Sequence, residues 1–541
     1  AVFSRLTEKA KGLGRFGQVK YLALINPPLV GLIAVVSLYA ANADEAPITI
    51  AVLALFWSMV GTAIVMAALR FVVRDSVSAG FVSTIWLALF FLYGYLYDSI
   101  NGETIGGFII GRFRYLLAAE TIVALLVLLV AFRSRNFCQR TTPVMTVVLG
   151  VFLLLNLGSA AGYHLGGSGD TGAEIEDLDS IALPSLDRDQ LPDIYYIILD
   201  SYPRADVLEE LYDFDNSAFL EHLDDKGFFI ASDSTTNYVQ TSLSLASSLN
   251  MDYLQHLIGP NASDTTRISV VQGLVQDNKA ALLAKRLGYR FAFLRSNWIL
   301  TLANPNADEE LSTIDYPWGA FGQLFLQPVF GAEFGHVFAR STMLRQFVDL
   351  GVTVFSANLF NEKIKRLEEV SQVEDPTFTF AHFAPPHPPY VFDRDGNSRS
   401  FGFSADSFWD KTFYIDQLIW VNKSIQEAIN RIIQNDDGSS VIIIQGDHGT
   451  ELTDKGQVIP YGGEPDATLV FERSSILNAL RLPDSCDPQD LYREITPVNT
   501  FRLVFDACLG TEFGLLEDNT YWSNYLQPYD FKDIEELGET E

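Results

Sequence analysis

Five side chains in this sequence could do chemistry together. Asp447 and His448 follow directly on the apolar run Ser440-Val441-Ile442-Ile443-Ile444-Gln445-Gly446. A carboxylate oxygen beside an imidazole nitrogen can hold one divalent cation. Asp200 ends a second apolar run, Ile194-Tyr195-Tyr196-Ile197-Ile198-Leu199. Thr241 opens the stretch Ser242-Leu243-Ser244-Leu245-Ala246-Ser247, and His387 lies in the proline-bounded loop Ala384-Pro385-Pro386-His387-Pro388-Pro389-Tyr390. A hydroxyl is a weak nucleophile at neutral pH and needs a metal or a base to activate it. A helix start offers a positive dipole end that suits a phosphate. Each residue also has an ordinary structural reading. Asp447-His448 suits a polar turn, and Thr241 and Asp200 suit helix caps, Asp200 before a helix at 205–213. Ser242 and Ser244 are rival hydroxyls, and His382 reads as a core histidine within a strand.

The elements that must position these groups alternate along the chain. Strands are expected at 194–199, 228–231, 290–294, 377–383, 440–445 and 467–471. Helices are expected at 205–213, 216–226, 242–250, 274–287, 357–370 and 409–434. This order predicts an α/β domain with a mainly parallel sheet between helices. Ligands of such sheets gather outside the carboxyl ends of strands, where Asp200, Asp447 and His448 fall.

The first third of the chain is different. The 541 residues are 48% hydrophobic, and apolar runs of membrane-spanning length account for it: about 21–41, 48–69, 79–96, 115–132 and 142–163. Arg5, Lys9, Lys11, Arg15 and Lys20 precede the first run, Arg70 and Arg74 follow the second, and Arg133, Arg135 and Arg140 follow the fourth. This alternation predicts a cytoplasmic N-terminus and, after five spans, an extracytoplasmic domain. The organisation expected is a transmembrane domain at 1–163, an acidic Gly-rich linker at 164–192 and a catalytic domain at 193–541. The first twenty residues are polar and basic, unlike a cleaved leader, so the first span is expected to target the chain.

The net charge of −30 is concentrated after residue 163, about −35 there against about +5 before it. Nucleic acid is therefore excluded as a partner. There is no Cys-x-x-Cys, which argues against a thiolate zinc site. Cys486 and Cys508 fall on the expected outer side, where a disulfide would persist.

A carboxylate after the first strand, a hydroxyl at a helix start, a late loop histidine and then Asp447-His448-Gly449 form an order that resembles the alkaline phosphatase superfamily. Within it, the sulfatase-like branch of lipoteichoic acid synthases and phosphoethanolamine transferases is the most similar. The resemblance covers roughly Asp193 to Ser523 and includes Pro497-Val498-Asn499-Thr500-Phe501-Arg502-Leu503. It implies Thr241 as nucleophile in a Thr-x-x-Ser setting and His387 as the group that contacts the phosphoryl or protonates the leaving oxygen. It also implies Asp200, Thr241, Asp447 and His448 as ligands of one divalent ion, Mn²⁺ or Zn²⁺. Those relatives usually carry Glu where Asp200 stands. The phosphoethanolamine transferases also have a further histidine downstream of Asp-His-Gly that this chain lacks, so a single-metal site like that of the lipoteichoic acid synthases is expected. Thr241 is not followed by the Pro and Arg that formylglycine sulfatases need. The resemblance implies an inner-membrane transferase that moves a phosphoglycerol- or phosphoethanolamine-type group from a membrane phospholipid to a glycan or lipid acceptor, through a Thr241 ester. A hydrolase using the same site and a non-catalytic subunit of a membrane assembly are the alternatives.

Overall fold

In a computed structural model, residues 15–541 are described apart from 44–47, 101–102, 106–107, 110, 166–177, 179–180, 189–190, 259–268, 297, 312–332, 400–407, 437, 487–490 and 538–541. Most of the expected linker lies outside the described residues. The chain forms two compact units, Ala1–Gly169 with Tyr316–Gly351, and Asp170–Asp315 with Val352–Glu541.

The first unit is helical: α1 (Arg15–Ala41), α2 (Ile48–Val73), α3 (Ser76–Ile100), α4 (Phe113–Arg133) and α5 (Arg135–Leu165). All five are long and apolar enough to cross a membrane. Where lipid supplies no hydrophobic drive between helices, small residues let backbones approach closely. A Cβ at Gly80 on α3 would stand 2.0 Å from the carbonyl oxygen of Ala23 on α1. Tyr316–Gly351, which the sequence places inside the catalytic domain, groups with these helices. Its helix Glu333–Arg340 and the turn after it dock on α3 through Gly94 N–H to Ser341 O (2.8 Å) and Met343 N–H to Phe90 O (3.0 Å). Ion pairs support the dock: buried Arg345 pairs with the exposed Asp98 of α3 at 2.7 Å, and Arg340 pairs with the fully buried Asp349 at 2.8 Å.

The second unit is α/β. Its strands are β1 (Ile194–Leu199), β2 (Phe228–Ile230), β3 (Arg290–Leu294), β4 (Glu309–Leu311), β5 (Thr377–Phe383), β6 (Val441–Gly446) and β7 (Asn478–Arg481). They form one sheet in the order β2-β7-β6-β1-β5-β3-β4. From β6 to β4 all neighbours are parallel, and β7 runs antiparallel to both β6 and β2. Alternate residues enter two cores. Ile194, Tyr196, Ile198, Val441 and Ile443 face one, whereas Tyr195, Ile197, Leu199, Ile442 and Ile444 face the other. Burial on both faces is what continuous β-branched runs are suited to.

The helices are α6 (Ala205–Tyr212), α7 (Ser217–Asp225), α8 (Thr241–Asn250), α9 (Ser269–Gln276), α10 (Lys279–Leu287), α11 (Arg345–Val370), α12 (Lys411–Asn435), α13 (Ala467–Ser474) and α14 (Pro497–Leu509). Two expectations are corrected. The strand expected at 467–471 is α13, because the Asp466 carboxylate caps Leu469 N–H and commits Ala467-Thr468-Leu469-Val470-Phe471 to a helix. The helix expected at 274–287 is broken in two, because the Asn278 side chain accepts from Ala281 N–H and starts α10 afresh. Cys486 and Cys508 form a disulfide with Cα atoms 4.4 Å apart.

Behind β5 stands Lys363 of α11, only 2% exposed. Its ammonium donates to the His382 carbonyl and lies 4.8 Å from the Phe383 ring centroid. Burial lowers its pKa to about 7.

Two outcomes follow. A cysteine at Asn42 should react with an impermeant thiol reagent in intact cells and one at Ser134 should not. Cys138 is buried and contributes little background. Reaction at Ser134 but not at Asn42 would invert the five-span reading. Lys363 releases its proton in the folded state near pH 7 but in the unfolded chain only near its ordinary 10.5. The unfolded state therefore binds more protons between those values, so stability rises with pH there, by up to about 1.4 kcal/mol per unit. In Lys363→Met that rise should vanish from denaturation midpoints measured between pH 7 and 10.

Candidate active site

Asp200 and Asp447 reach one place because β1 pairs with β6 on one side and β5 on the other. Leu199 lies opposite both Gly446 and Phe383, so the residues after β1 and after β6 emerge side by side. Asp200 N–H extends the ladder to Phe383 O at 3.0 Å. Ser201 then turns into the left-handed region with φ 59°, a conformation that costs a non-glycine residue roughly 1–2 kcal/mol. Its N–H donates to Asp447 Oδ1 at 3.0 Å, and its carbonyl accepts from Tyr414 of α12 at 2.9 Å.

The Asp447 carboxylate is oriented by these contacts. Oδ1 accepts from Ser201 N–H and from His448 N–H at 2.9 Å. Oδ2 is buried and has no hydrogen-bond partner. His448 Nδ1 lies 2.8 Å from Gly449 O. A carbonyl only accepts, so Nδ1 carries the proton and the Nε2 lone pair points into the site. Nε2 is 3.3 Å from Asp447 Oδ2 and 3.7 Å from Asp200 Oδ1. Gly449 is required here, since a Cβ would fall 1.9 Å from Glu472 O.

Thr241 begins α8, with Gln240 as the cap residue, and its Oγ1 lies 2.9 Å from His448 Nε2. Ser244 is turned away and buried. Its Oγ stands 3.2 Å from Thr236 Oγ1, which donates to the Asp447 carbonyl at 2.6 Å. His387, half-buried between two cis X-Pro bonds, donates its N–H to Asp200 O at 3.0 Å. Gln417 of α12 holds the loop through Pro386 O (3.1 Å) and His387 O (3.2 Å).

The electrostatics separate the two carboxylates. Burial, with Asp200 adding to it, pushes Asp447 well above the carboxylate range. Asp200 is equally buried, but His387, His382 and His448 outweigh that burial and hold its pKa low. Burial and then the Arg473 guanidinium push His448 well below the usual histidine range, so it stays neutral. Ligand atoms of Asp200, Asp447 and His448 all lie within 4.8 Å of one another. Converging acceptors with an orphaned Asp447 Oδ2 are a donor set for a cation, and two carboxylate oxygens with an imidazole nitrogen suit a divalent ion.

Sequence reasoning passed over two residues here and read a third, His382, only as a core histidine. Arg473, at the end of α13 and 3% exposed, donates to Val239 O (2.9 Å) and Gly449 O (3.1 Å), with Nη2 3.1 Å from His448 Nε2. Beside it, Glu472 accepts from Thr450 Oγ1 and Leu452 N–H, both at 2.8 Å, and so fixes the loop after Gly449. Reading α13 as a strand hid both. His382 does lie in the core, but its Nε2 faces Asp200 Oδ2 at 3.5 Å while Nδ1 meets Thr301 Oγ1 at 3.0 Å. The place of His382 at the last turn of a strand before the His387 loop was the available signal. Glu451 and Asp454 are outside the acceptor cluster.

Residues 192–473 match the Sulfatase family, and this span is more than half of the chain. The chain belongs to the sulfatase family and is an enzyme of the alkaline phosphatase superfamily. No curated protein matches it. Among solved structures it is similar to the C-terminal periplasmic domain of EcEptC from Escherichia coli in complex with Zn (14% identity, 66% of this chain and 96% of that one, TM-score 0.40). It is also similar to the soluble domain of lipooligosaccharide phosphoethanolamine transferase A from Neisseria meningitidis (12%, 61% and 90%, TM-score 0.38). A third is the phosphonate monoester hydrolase of Agrobacterium radiobacter (16%, 61% and 80%, TM-score 0.36).

Burial of Ile442, Ile443 and Ile444 contributes about 1.5–3 kcal/mol for each side chain, so the sheet stands without an ion. Asp447→Asn and His448→Ala should each lower bound metal at least about tenfold by elemental analysis, while far-ultraviolet circular dichroism stays that of the wild type. Full occupancy in both variants would place the metal elsewhere.

Proposed function

We propose that the chain is a membrane-anchored transferase that moves a phospho-head-group from a lipid to a glycan or lipid hydroxyl through an ester on Thr241. The observation that carries this is Thr241 Oγ1 at 2.9 Å from His448 Nε2, at the N-terminus of α8 and beside the three-acceptor cluster. A divalent ion bound by Asp200, Asp447 and His448 would lower the pKa of the Thr241 hydroxyl and offset charge on the phosphoryl oxygens.

The chain's own residues do the rest. Thr241 is half-exposed, so its proton can pass to water as its oxygen attacks phosphorus. The Thr241 O–P bond forms, the lipid O–P bond breaks, and His387 gives a proton to the departing lipid oxygen. An acceptor hydroxyl then loses its proton to His387 and attacks the same phosphorus; the Thr241 O–P bond breaks and the Thr241 oxygen takes a proton back from water. Arg473 brings a buried positive charge next to His448, where anionic phosphoryl oxygens would sit. The five apolar helices support a lipid donor, since they tie the site to a membrane. The same ester opened by water makes the enzyme a hydrolase.

Thr241→Ala should cut turnover of head-group-labelled phospholipid by at least about 10³-fold. Ser244→Ala should only reduce it, and Arg473→Ala should cost about 10²-fold. Labelled lipid should leave its head group on Thr241. Label on Ser242 or Ser244, or turnover in Thr241→Ala, would sink the mechanism. Product analysis with and without an acceptor glycan separates transfer from hydrolysis.

A further inference from the structure

The helical unit contains a cavity of about 580 Å³ between α2, α3, α4 and the docked helix Glu333–Arg340. That size falls within the range of small-molecule sites, roughly 300–1,000 Å³. Its walls are apolar and aromatic, with Trp86, Phe91 and Phe338 among them. Ser58, Thr121 and Thr342 also line it, but each donates its hydroxyl to a backbone carbonyl; among the described residues, Glu120 and Thr62 find no such partner. Glu120 of α4 is 4% exposed, and both of its carboxyl oxygens are buried without a hydrogen-bond partner. Thr62 of α2 is 2% exposed, and its hydroxyl also lacks a partner. Neither is explained by packing. An ionisable side chain inside a span is costly, and unpaired it points to a ligand that completes it.

The lining says what that ligand is. Among the described residues it contains no Lys, Arg or His, so nothing in it neutralises a phosphate. A carboxyl group among apolar walls fits a hydroxyl on an acyl body. The cavity opens toward lipid, since Gly61 on α2 and Leu117, Thr121 and Leu125 on α4 are lining residues and exposed. Glu120 lies seven residues into α4, about 10 Å from its start and so about a third of the way through a 30 Å hydrocarbon core. By the alternation of five spans, the start of α4 shares a membrane face with the end of α5, from which the chain continues to the α/β unit.

We propose that this cavity binds an uncharged, hydroxyl-bearing lipid, the diacylglycerol left when a phospholipid surrenders its head group, with Glu120 accepting the hydroxyl's hydrogen bond. The source of the lipid rests on the transferase reading above, but the binding does not.

The test uses the full chain in phosphatidylcholine nanodiscs with a diacylglycerol carrying a photoreactive group on its acyl chain. Crosslinks should map to peptides containing Leu117 or Phe338, equally in the wild type and in Thr241→Ala. Unlabelled diacylglycerol should compete, whereas phosphatidylglycerol and phosphatidylethanolamine should not. Glu120→Ala should lower labelling about five- to tenfold, as expected for loss of a buried hydrogen-bond partner. Gly61→Phe should lower it as much by filling the cavity, and a Cβ at Gly61 meets no atom within 4 Å, so that variant should keep its thermal midpoint. Labelling that persists in both variants, maps elsewhere, or yields equally to a phospholipid overturns the site. Labelling as expected from a wild type that releases no diacylglycerol from any phospholipid supports the site and removes the transferase reading.

Discussion

Leu199 stands opposite Phe383 on one side and Gly446 on the other, and the site depends on that register. A slip of one residue would turn every β1 side chain to the opposite core. It would also carry Asp200 out of line with Asp447 and His448. The register is fixed by apolar burial on both faces, with Tyr195 and Tyr196 entering different cores. The chemistry is therefore positioned by a sheet whose stability does not come from the site.

What the sheet brings together is unfavourable in isolation. Two buried carboxylates meet near an imidazole whose Nε2 lone pair points at them, and burying such groups unpaired is costly. Part of the compensation is internal. Ser201 and His448 N–H groups bind Asp447 Oδ1, and His382 faces Asp200. Arg473 adds positive charge next to His448. The remaining imbalance, an orphaned Asp447 Oδ2, is what a cation would resolve. Ser201 in the left-handed region is part of the same arrangement, since its N–H reaches Asp447 from that conformation.

The helical unit follows the same logic with different materials. Its helices approach through small residues such as Gly80, and a segment distant in sequence docks on α3 through backbone hydrogen bonds and an ion pair from Arg345 to Asp98. These charges are paired, whereas Glu120 is not. That contrast separates a structural use of charge within the unit from one that waits for a ligand.

The sequence alone determined the five apolar spans, the parallel core strands and the positions of Asp200, Asp447 and His448 at strand ends. Each follows from local signals: length of apolar run, β-branched composition, and a polar residue at the carboxyl end of a strand; Thr241 was singled out by a helix start together with the family resemblance. Tertiary structure decided the rest. Ala467–Phe471 is apolar enough for a strand, and only the cap by Asp466 and the pairing of Asn478–Arg481 with β6 settle it as α13 and β7. Arg473 and Glu472 acquire roles only once α13 is set against the loop after Gly449. Lys363 and Glu120 are unremarked in sequence, and His382 reads there only as a core histidine, because their significance is environmental: a lysine with no water, a histidine facing Asp200, a carboxyl with no partner. Local pattern reports which face a residue takes, whereas burial and charge partners depend on segments hundreds of residues apart, which only the folded chain brings into contact.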